Sequence, residues 1–248
     1  MDAVRNSGEL TIRVWRGAEV GEFATYRVPA RANQTVLDVV TEIQRHQAPD
    51  LAYRFACRVG VCGTCAMVVN GVPRWTCRTH VSRVVEGGAD GGGALTVEPL
   101  HNLPRIRDLA CDMAPFFDKW KAAGGRFEGG AARADLPAKV DSASAKRKAA
   151  DAGIECINCA VCYAACDVVA GDAAYLGPAA LLRAWTLVND ERHQGRRETV
   201  AKAMGRGGCG SCHSQGSCMA HCPVGLSPTE GIAGLKRMSL AAMFLRAP

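Results

Sequence analysis

The sequence of 248 residues has no apolar run that approaches the roughly 20 residues needed to cross a bilayer. The longest late candidate, MSLAAMFL at 238–245, is far too short, so we expect any membrane contact to be peripheral or to pass through other subunits. The first residues, MDAVRNSGELTIRVWRG, lack the apolar core of a signal peptide and lead directly into strand-like alternation. We therefore expect the chain to remain in the compartment where it is made.

The signatures of several functional classes are missing as well. The sequence has no glycine-rich dinucleotide fingerprint, no nucleophile elbow and no general-acid constellation, so we expect the chain to make or break no substrate bonds itself. The 30 lysine and arginine residues exceed the 24 acidic residues by six, but they are scattered and form no stripe interleaved with aromatic residues. Nucleic acid is therefore not an expected partner.

What the sequence does contain is 13 cysteines. In a chain that stays in a reducing compartment, so many thiols indicate metal or redox chemistry in preference to disulfides. Their spacing then indicates which metal centres they form.

Strand patterns dominate the first part of the chain. ELTIRVW (9–15) and ATYRVPA (24–30) alternate as strands, and TVLDVVTEIQRHQ (35–47) has helical spacing with Thr35 as its predicted N-cap. The dipeptide NG at 70–71, between apolar runs, predicts a β-hairpin, and ALTVEPL closes this half.

Helical patterns replace strands after Pro104. IRDLACDMAPFFDKWKAAG is followed by a Gly/Ala/Lys-rich connector at about 122–150, and helical segments then separate further cysteine clusters. We therefore predict two domains, residues 1–104 and residues 105–248.

Four cysteines of the first domain have the spacing of plant-type 2Fe-2S ferredoxins, C-x4-C-x2-C and a later fourth cysteine. They are Cys57, Cys62, Cys65 and Cys77. Gly60 and Gly63 lie in this loop, where the lack of a side chain lets backbone amides approach and hydrogen-bond the cluster sulfides. A structural zinc site is the alternative, although this spacing within a hairpin sheet is unusual for zinc ribbons.

Two later motifs share one frame. The first, C-x2-C-x2-C-x3-C, is the bacterial ferredoxin run, in which the fourth cysteine binds the other cluster. The second motif has Gln215 at its second cysteine position. Exchange of the fourth cysteines predicts a 4Fe-4S cluster at Cys156, Cys159, Cys162 and Cys222. The remaining thiols suit a 3Fe-4S cluster of higher potential, since a neutral carboxamide replaces a thiolate; they are Cys166, Cys212 and Cys218.

Several residues near these motifs are left over. Cys111 is interpreted as a small buried hydrophobe on an apolar helical face. Cys209, three residues before Cys212, is either a spectator, which we favour, or an alternative ligand. His213 and His221 flank predicted ligands, and either could bond a sulfur, face a redox partner or lie in solvent.

This order of motifs resembles the iron-sulfur subunit of succinate dehydrogenase and fumarate reductase. The resemblance covers nearly the full chain and rests on CRVGVCGTCAMVVNG, IRDLACDM, CINCAVC and CPVGLSPTEGIAGLKR, which fall in family order. It implies an α+β chain, in which an N-terminal β-grasp 2Fe-2S ferredoxin domain is followed by an α-helical ferredoxin domain with the 4Fe-4S and 3Fe-4S clusters. It also implies that electrons pass between the FAD of a flavoprotein subunit and a quinone at the membrane anchor.

The resemblance further implies a location and partners. Membrane-anchor subunits, with or without haem, would hold the chain peripherally at the cytoplasmic face of the bacterial inner membrane. The complex would be a succinate:quinone oxidoreductase or a fumarate reductase, in which this chain transfers electrons and has no substrate site of its own. Such a chain of clusters splits a two-electron flavin reaction into single-electron steps.

The sequence departs from the family near the quinone. In the family, a proline commonly follows the cysteine that corresponds to Cys166, and a tryptophan five residues beyond that cysteine helps to form the quinone pocket. Here these positions are Asp167 and Gly171. Gln215 replaces a residue that is commonly aliphatic, and only His213 matches, as the residue of the quinone vicinity.

Two alternative functions stay open at the level of sequence. The same clusters could serve a different flavoprotein dehydrogenase with another acceptor, which the substrate of the co-purifying flavoprotein would reveal. The cysteines could instead form structural zinc sites of an interaction protein, in which case the protein is colourless and free of sulfide. The direction of electron flow is not encoded in these motifs.

Overall fold

The computed structural model describes residues 8–86, 93–130 and 136–244. In chain order the elements are β1 (Glu9–Gly17), β2 (Gly21–Pro29), α1 (Val36–His46), β3 (Ala66–Val69), β4 (Val72–Trp75), β5 (Ala94–Glu98), β6 (Arg105–Arg107), β7 (Ala110–Cys111), α2 (Ala114–Ala122), α3 (Ala145–Ile154), α4 (Val161–Ala164), α5 (Asp167–Gly171), α6 (Pro178–Asn189), α7 (Arg196–Met204), α8 (Ser217–Ala220) and α9 (Pro228–Phe244).

These elements form two compact units. The first comprises the described residues up to Met113 together with the later segment Ile157–Ala164. The second comprises Ala114–Cys156 and the described residues from Ala165 onward. A short piece of the cysteine motif that runs from Cys156 to Cys166 therefore belongs to the first unit.

A mixed five-stranded sheet in the order β2-β1-β5-β3-β4 is the scaffold of the first unit. β1 pairs parallel with β5 and antiparallel with β2, and β3 pairs antiparallel with both β5 and β4. The alternating Leu10, Ile12 and Val14 of β1 are buried, since successive side chains of a strand point to opposite faces. They belong to one apolar cluster with Val39 and Ile43 of α1. A sheet with a helix packed on it is the β-grasp architecture predicted for this half.

Local signals set the ends of two of these elements. The Thr35 side chain accepts a hydrogen bond from the Asp38 amide, and the Asp38 carboxylate accepts one from the Thr35 amide, which caps α1. Asn70 and Gly71 have φ of 47° and 72°, the left-handed conformations that a tight hairpin turn requires, and they join β3 to β4. The predicted capped helix and hairpin are both confirmed.

One buried carboxylate extends the first unit beyond residue 104. Asp108 is 2% exposed and accepts hydrogen bonds from the Gly17 and Ala52 amides, at 2.9 Å each, and from Arg16 Nε at 3.1 Å. Its neighbour Leu109 lies in the apolar cluster of the sheet. Because Asp108 is bound to the end of β1 and to the loop at Ala52, the strands on either side of Asp108 stay with the first unit.

Cys111 differs in part from the prediction. It is 6% exposed, so its predicted burial is confirmed, but it lies on the short strand β7 and not on a helix. β7 pairs with β6, and the Cys111 thiol donates to the Leu100 carbonyl at 3.6 Å. The apolar residues 109–111 are consecutive and carry no helical period, and the next helix begins only at Ala114.

Replacing Asp108 by alanine is expected to destabilise the first unit by about 3 kcal/mol, the order of cost of breaking a buried ion pair. Burial alone would raise the pKa of Asp108, but the Ala52 and Gly17 amides and the Arg16 guanidinium outweigh burial and lower this pKa below its ordinary value. A lowered folded-state pKa contributes stability above the unfolded pKa, about 3.9 for Asp. That contribution is lost as the pH falls through the folded value.

Denaturant unfolding of D108A and the parent at neutral pH, and of the parent through the acid range, measures both effects. Asp118→Ala is the control, because the Asp118 side chain is 68% exposed and pairs with the exposed Lys121 at 3.0 Å. Equal stability of D108A and the parent at neutral pH would contradict the structural role given to Asp108.

The central helix of the second unit is α6. It packs against α2, α3, α7 and α9, and Pro178 occupies its first turn as predicted. α9 approaches it closely at Gly234, where a Cβ atom would lie 2.4 Å from the Trp185 ring. Ser227 caps α9, as predicted, by accepting a hydrogen bond from the Glu230 amide at 3.4 Å. The helical character predicted for this half is therefore confirmed.

The segment predicted as a connector, at about 122–150, includes the first part of α3. Ser144 caps this helix by accepting a hydrogen bond from the Arg147 amide at 3.0 Å. Residues 131–135 of the connector lie outside the described residues. Within the described ranges, no helix has the length and apolar character of a membrane span.

Candidate metal centres

Backbone amides of the first cysteine loop donate to its sulfur atoms. The amides of Val59, Val61 and Cys62 donate to Cys57 Sγ at 3.5, 3.3 and 3.3 Å. The Cys57 amide donates in turn to Cys62 Sγ at 3.5 Å. The donations from Val59 and Val61, followed by those from Cys62, lower the pKa of the Cys57 thiol to about 6. This is the environment that a thiolate ligand requires, because the amides stabilise negative charge on sulfur.

The other two thiols of this set are buried side by side. Cys65 is 2% exposed and Cys77 is 6% exposed, and they pack with Leu37 of α1. Burial, followed by the adjacent Cys65 side chain, raises the pKa of Cys77 to about 12. The Gly60 amide donates to Cys77, and Gly60 has a φ of 77°, a backbone conformation that favours glycine. Four thiols with inward amide donors fit a 2Fe-2S cluster.

The first cysteine loop contacts the cysteine motif that runs from Cys156 to Cys166. A Cβ atom on Gly63, whose φ is 70°, would lie 2.6 Å from Cys159 Cβ, so a glycine is required for this approach. The Asn102 side-chain amide lies within hydrogen-bond distance of the Tyr163 and Ala164 carbonyls, at 3.0 and 3.3 Å, and so holds α4. The first cysteine loop and the segment Ile157–Ala164 are therefore in direct contact within the first unit.

The cysteines predicted for the 4Fe-4S cluster are divided between the units. Cys159 and Cys162 belong to the segment Ile157–Ala164, and Cys156 and Cys222 belong to the second unit. The Leu226 amide donates to Cys222 Sγ at 3.3 Å, which repeats the amide-to-sulfur pattern of the first loop.

The three thiols of the predicted 3Fe-4S set lie close together in the second unit. Burial, followed by the charges of Cys212 and Cys166, raises the pKa of the Cys218 thiol. Two backbone amides at the start of α5 donate to Cys166, and the Ser214 amide donates to Cys212 Sγ at 3.4 Å. Gln215, at the remaining position of the frame, is exposed. The set therefore fits a cluster with three thiolate ligands.

A cavity of about 400 Å³ lies beside this set. Its lining residues are Asp167, Val168, Gly171, Asp172, Ser211, His213 and Gln215. His213 lines this cavity together with the three positions at which the sequence departs from the family it resembles, Asp167, Gly171 and Gln215. Asp172 and Ser211 belong to no motif, so no signal in the sequence marked them as part of one site.

Two hydroxyl groups beside the three-thiol set were also not predicted. Thr229 Oγ1 lies 3.2 Å from Cys218 Sγ, and the Tyr175 hydroxyl contacts the Cys212 side chain. Thr229 lies 11 positions from Cys218, and Tyr175 lies 37 positions from Cys212, so neither pair falls within one cysteine motif. Cys209 is 2% exposed, and burial is the main cause that raises its pKa. Its predicted role as a spectator stays a prediction.

In the described part of the chain, no three His, Cys, Asp or Glu side chains are grouped as ligands of one metal ion. The thiolates of an iron-sulfur cluster bind separate iron atoms and surround a larger body. The features that bear on the predicted clusters are the neighbouring thiols and the amides that donate to them.

The comparisons with known proteins agree with this chemistry. Residues 11–118 match the model of a 2Fe-2S iron-sulfur cluster binding domain, and residues 155–227 match that of a 4Fe-4S dicluster domain. The chain is 34% identical over 209 residues to the fumarate reductase iron-sulfur subunit of Escherichia coli, which covers 84% of this chain and 82% of that protein. It is 34% identical over 212 residues to the mitochondrial succinate dehydrogenase (ubiquinone) iron-sulfur subunit 1 of Oryza sativa, with coverages of 84% and 72%.

A solved structure extends the match to the fold. A chain of the Mycobacterium smegmatis Sdh1 complex in the apo form superposes with a TM-score of 0.82 at 27% identity, and the match covers 96% of this chain and 98% of that one. The predicted α+β fold class and family resemblance are therefore confirmed. The chain belongs to the family of iron-sulfur subunits of fumarate reductase and succinate dehydrogenase.

Proposed function

We propose that the chain is the electron-transfer subunit of a succinate dehydrogenase or fumarate reductase complex, and that it passes electrons between the FAD of a flavoprotein subunit and a quinone. The observation that carries the proposal is the contact between two cysteine loops, where the Gly63 backbone meets Cys159. Electrons pass between clusters only over short distances, and this contact brings a ligand of one predicted cluster against the loop of another. Family membership supports the same role.

The proposed ligands are those that the spacing predicts. A 2Fe-2S cluster takes Cys57, Cys62, Cys65 and Cys77, a 4Fe-4S cluster takes Cys156, Cys159, Cys162 and Cys222, and a 3Fe-4S cluster takes Cys166, Cys212 and Cys218. When bound, each cluster accepts and donates single electrons. The chain contributes thiolates, amide donors and apolar burial, which together set each potential.

The cavity beside His213 is the quinone site that we propose. Quinone reduction takes up protons as well as electrons, and histidine is the side chain that most readily donates a proton near neutral pH. Asp167 and Asp172 add two carboxylates to the wall. Membrane-anchor subunits, with or without haem, would complete this site and hold the chain peripherally at the cytoplasmic face of the bacterial inner membrane.

Low-temperature electron paramagnetic resonance of the purified complex tests the proposal. We expect a 3Fe-4S signal in the oxidised protein, a 2Fe-2S signal in the reduced protein and about nine irons per chain. Far fewer irons after anaerobic isolation and reconstitution would contradict the ligand sets. Zinc without sulfide would support a structural zinc protein instead. A co-purifying flavoprotein that oxidises another organic acid would support the other flavoprotein dehydrogenase.

Replacing His213 by alanine is expected to lower quinone turnover by about 100-fold, the lower range of what a positioned proton donor contributes. The three cluster signals should persist, because His213 is exposed and is not one of the proposed ligands. Quinone-dependent turnover is compared with turnover with an artificial electron acceptor. His46→Ala, an exposed histidine of α1 in the first unit, is the control. Equal quinone turnover in H213A and the parent would exclude His213 from this site.

A further inference from the structure

A threonine hydroxyl contacts one of the three thiols proposed for the 3Fe-4S cluster. Thr229 Oγ1 lies 3.2 Å from Cys218 Sγ, a distance at which either atom could donate in the free thiol. A cluster ligand is a thiolate and has no proton to give. With the cluster bound, Thr229 must therefore be the donor and Cys218 the acceptor.

The hydroxyl of Thr229 is not needed to begin its helix. Thr229 lies in the first turn of α9, where a side-chain oxygen often caps the free amides. That cap is supplied by Ser227, which accepts the hydrogen bond of the Glu230 amide. The Thr229 hydroxyl can therefore donate a hydrogen bond to Cys218 Sγ without removing the cap of α9.

A tyrosine hydroxyl approaches the same set from another element. Tyr175 is 1% exposed. Its backbone amide donates to the Asp172 backbone carbonyl at 3.0 Å, which fixes the turn before α6. Its hydroxyl contacts the Cys212 side chain. A thiolate at Cys212 has no proton to give, so the Tyr175 hydroxyl is the donor in this contact when the cluster is bound.

We propose that Thr229 and Tyr175 are positioning residues that raise the reduction potential of this cluster through the thiolates of Cys218 and Cys212. The inference rests on the proposed ligand set. Reduction adds one electron to the cluster, and hydrogen bonds to its sulfur ligands stabilise the more negative, reduced state. The two donors act in the same direction as the missing thiolate at Gln215, which also raises the potential of this cluster.

The test is a redox titration of the purified complex, monitored by the 3Fe-4S resonance. Thr229→Val and Tyr175→Phe remove each hydroxyl and keep most of the side-chain shape. For each variant we expect the equilibrium constant for reduction to fall by about tenfold, which is 59 mV for one electron. Thr229→Ser retains the hydroxyl and should restore the parent potential. Ser239→Ala is the control, since that hydroxyl lies on the same helix but bonds the Lys236 carbonyl.

The outcomes separate this inference from the proposed function. A normal 3Fe-4S signal with unshifted potentials in both T229V and Y175F would overturn the inference and leave the ligand set intact. A parent without a 3Fe-4S signal would overturn both. If T229V loses the cluster altogether, the potential of Y175F decides. A potential shifted equally in T229S and T229V would mean that packing, and not the hydroxyl, is responsible, and would overturn the role of Thr229.

Discussion

Replacement of Cys62 by serine is expected to abolish the 2Fe-2S resonance and to stop electron delivery from the flavoprotein. Cys62 is a proposed ligand, and its backbone amide also donates to Cys57 Sγ at 3.3 Å. Loss of this cluster should reduce the iron content from about nine to about seven per chain. Turnover from succinate to quinone should fall to background, because the proposed path between flavin and quinone loses one of its three clusters.

Iron analysis, the reduced-state resonance and succinate:quinone turnover of C62S measure these effects. Cys111→Ala is the matched control, because Cys111 is buried in the same unit and belongs to no proposed set. The control should keep all three clusters. A 2Fe-2S resonance of parental size in C62S would show that Cys62 is not a ligand.

Replacement of Gln215 by cysteine is expected to have the opposite effect on iron, with a rise from about nine to about ten per chain as the 3Fe-4S cluster gains a fourth iron. Gln215 stands where the repeated frame would carry a cysteine, and it lines the cavity beside Cys212 and Cys166. The added thiolate brings one more negative charge, which disfavours the reduced state and lowers the potential. The oxidised-state 3Fe-4S resonance should therefore decrease.

Gln215→Leu is the control for this change, because it removes the carboxamide without supplying a sulfur. It should keep the 3Fe-4S resonance at parental intensity. Should Q215C leave both the resonance and the potential of the centre unchanged, the assignment of residue 215 to the vacant corner of this cluster is wrong. Quinone turnover of Q215C should also fall, since a cluster of lower potential accepts electrons less readily.

Local signals in the sequence predicted the secondary structure well. The Thr35 capping box and the hairpin at Asn70 and Gly71 involve residues that are at most a few positions apart. Cys111 shows the limit of this reasoning. Three consecutive apolar residues fit a buried strand as well as a buried helix, and only the pairing of β7 with β6 distinguishes them.

The arrangement around the thiols was less accessible to prediction. Gly63 was predicted to admit backbone amides to the cluster, but its contact with Cys159 joins two motifs separated by almost one hundred positions. Asp108 follows the predicted domain boundary, yet its hydrogen bonds to Gly17 and Ala52 hold it in the first unit. Neither Thr229 nor Tyr175 belongs to a ligand motif, so neither could be found from spacing.

The sequence by itself determined the fold class, the family and the frame of each cysteine motif, because capping, hairpin formation and ligand spacing are properties of short stretches of chain. Only the tertiary structure decided which amides and hydroxyls face each sulfur, which loops touch and which residues share the cavity with His213. The hydroxyl contacts of Thr229 and Tyr175 and the contact of Gly63 with Cys159 join residues 11 to 96 positions apart, and their proximity depends on how helices and strands pack their apolar faces. The number and spacing of the thiols are therefore set by short stretches of sequence, whereas the groups that surround the thiols are set by tertiary packing.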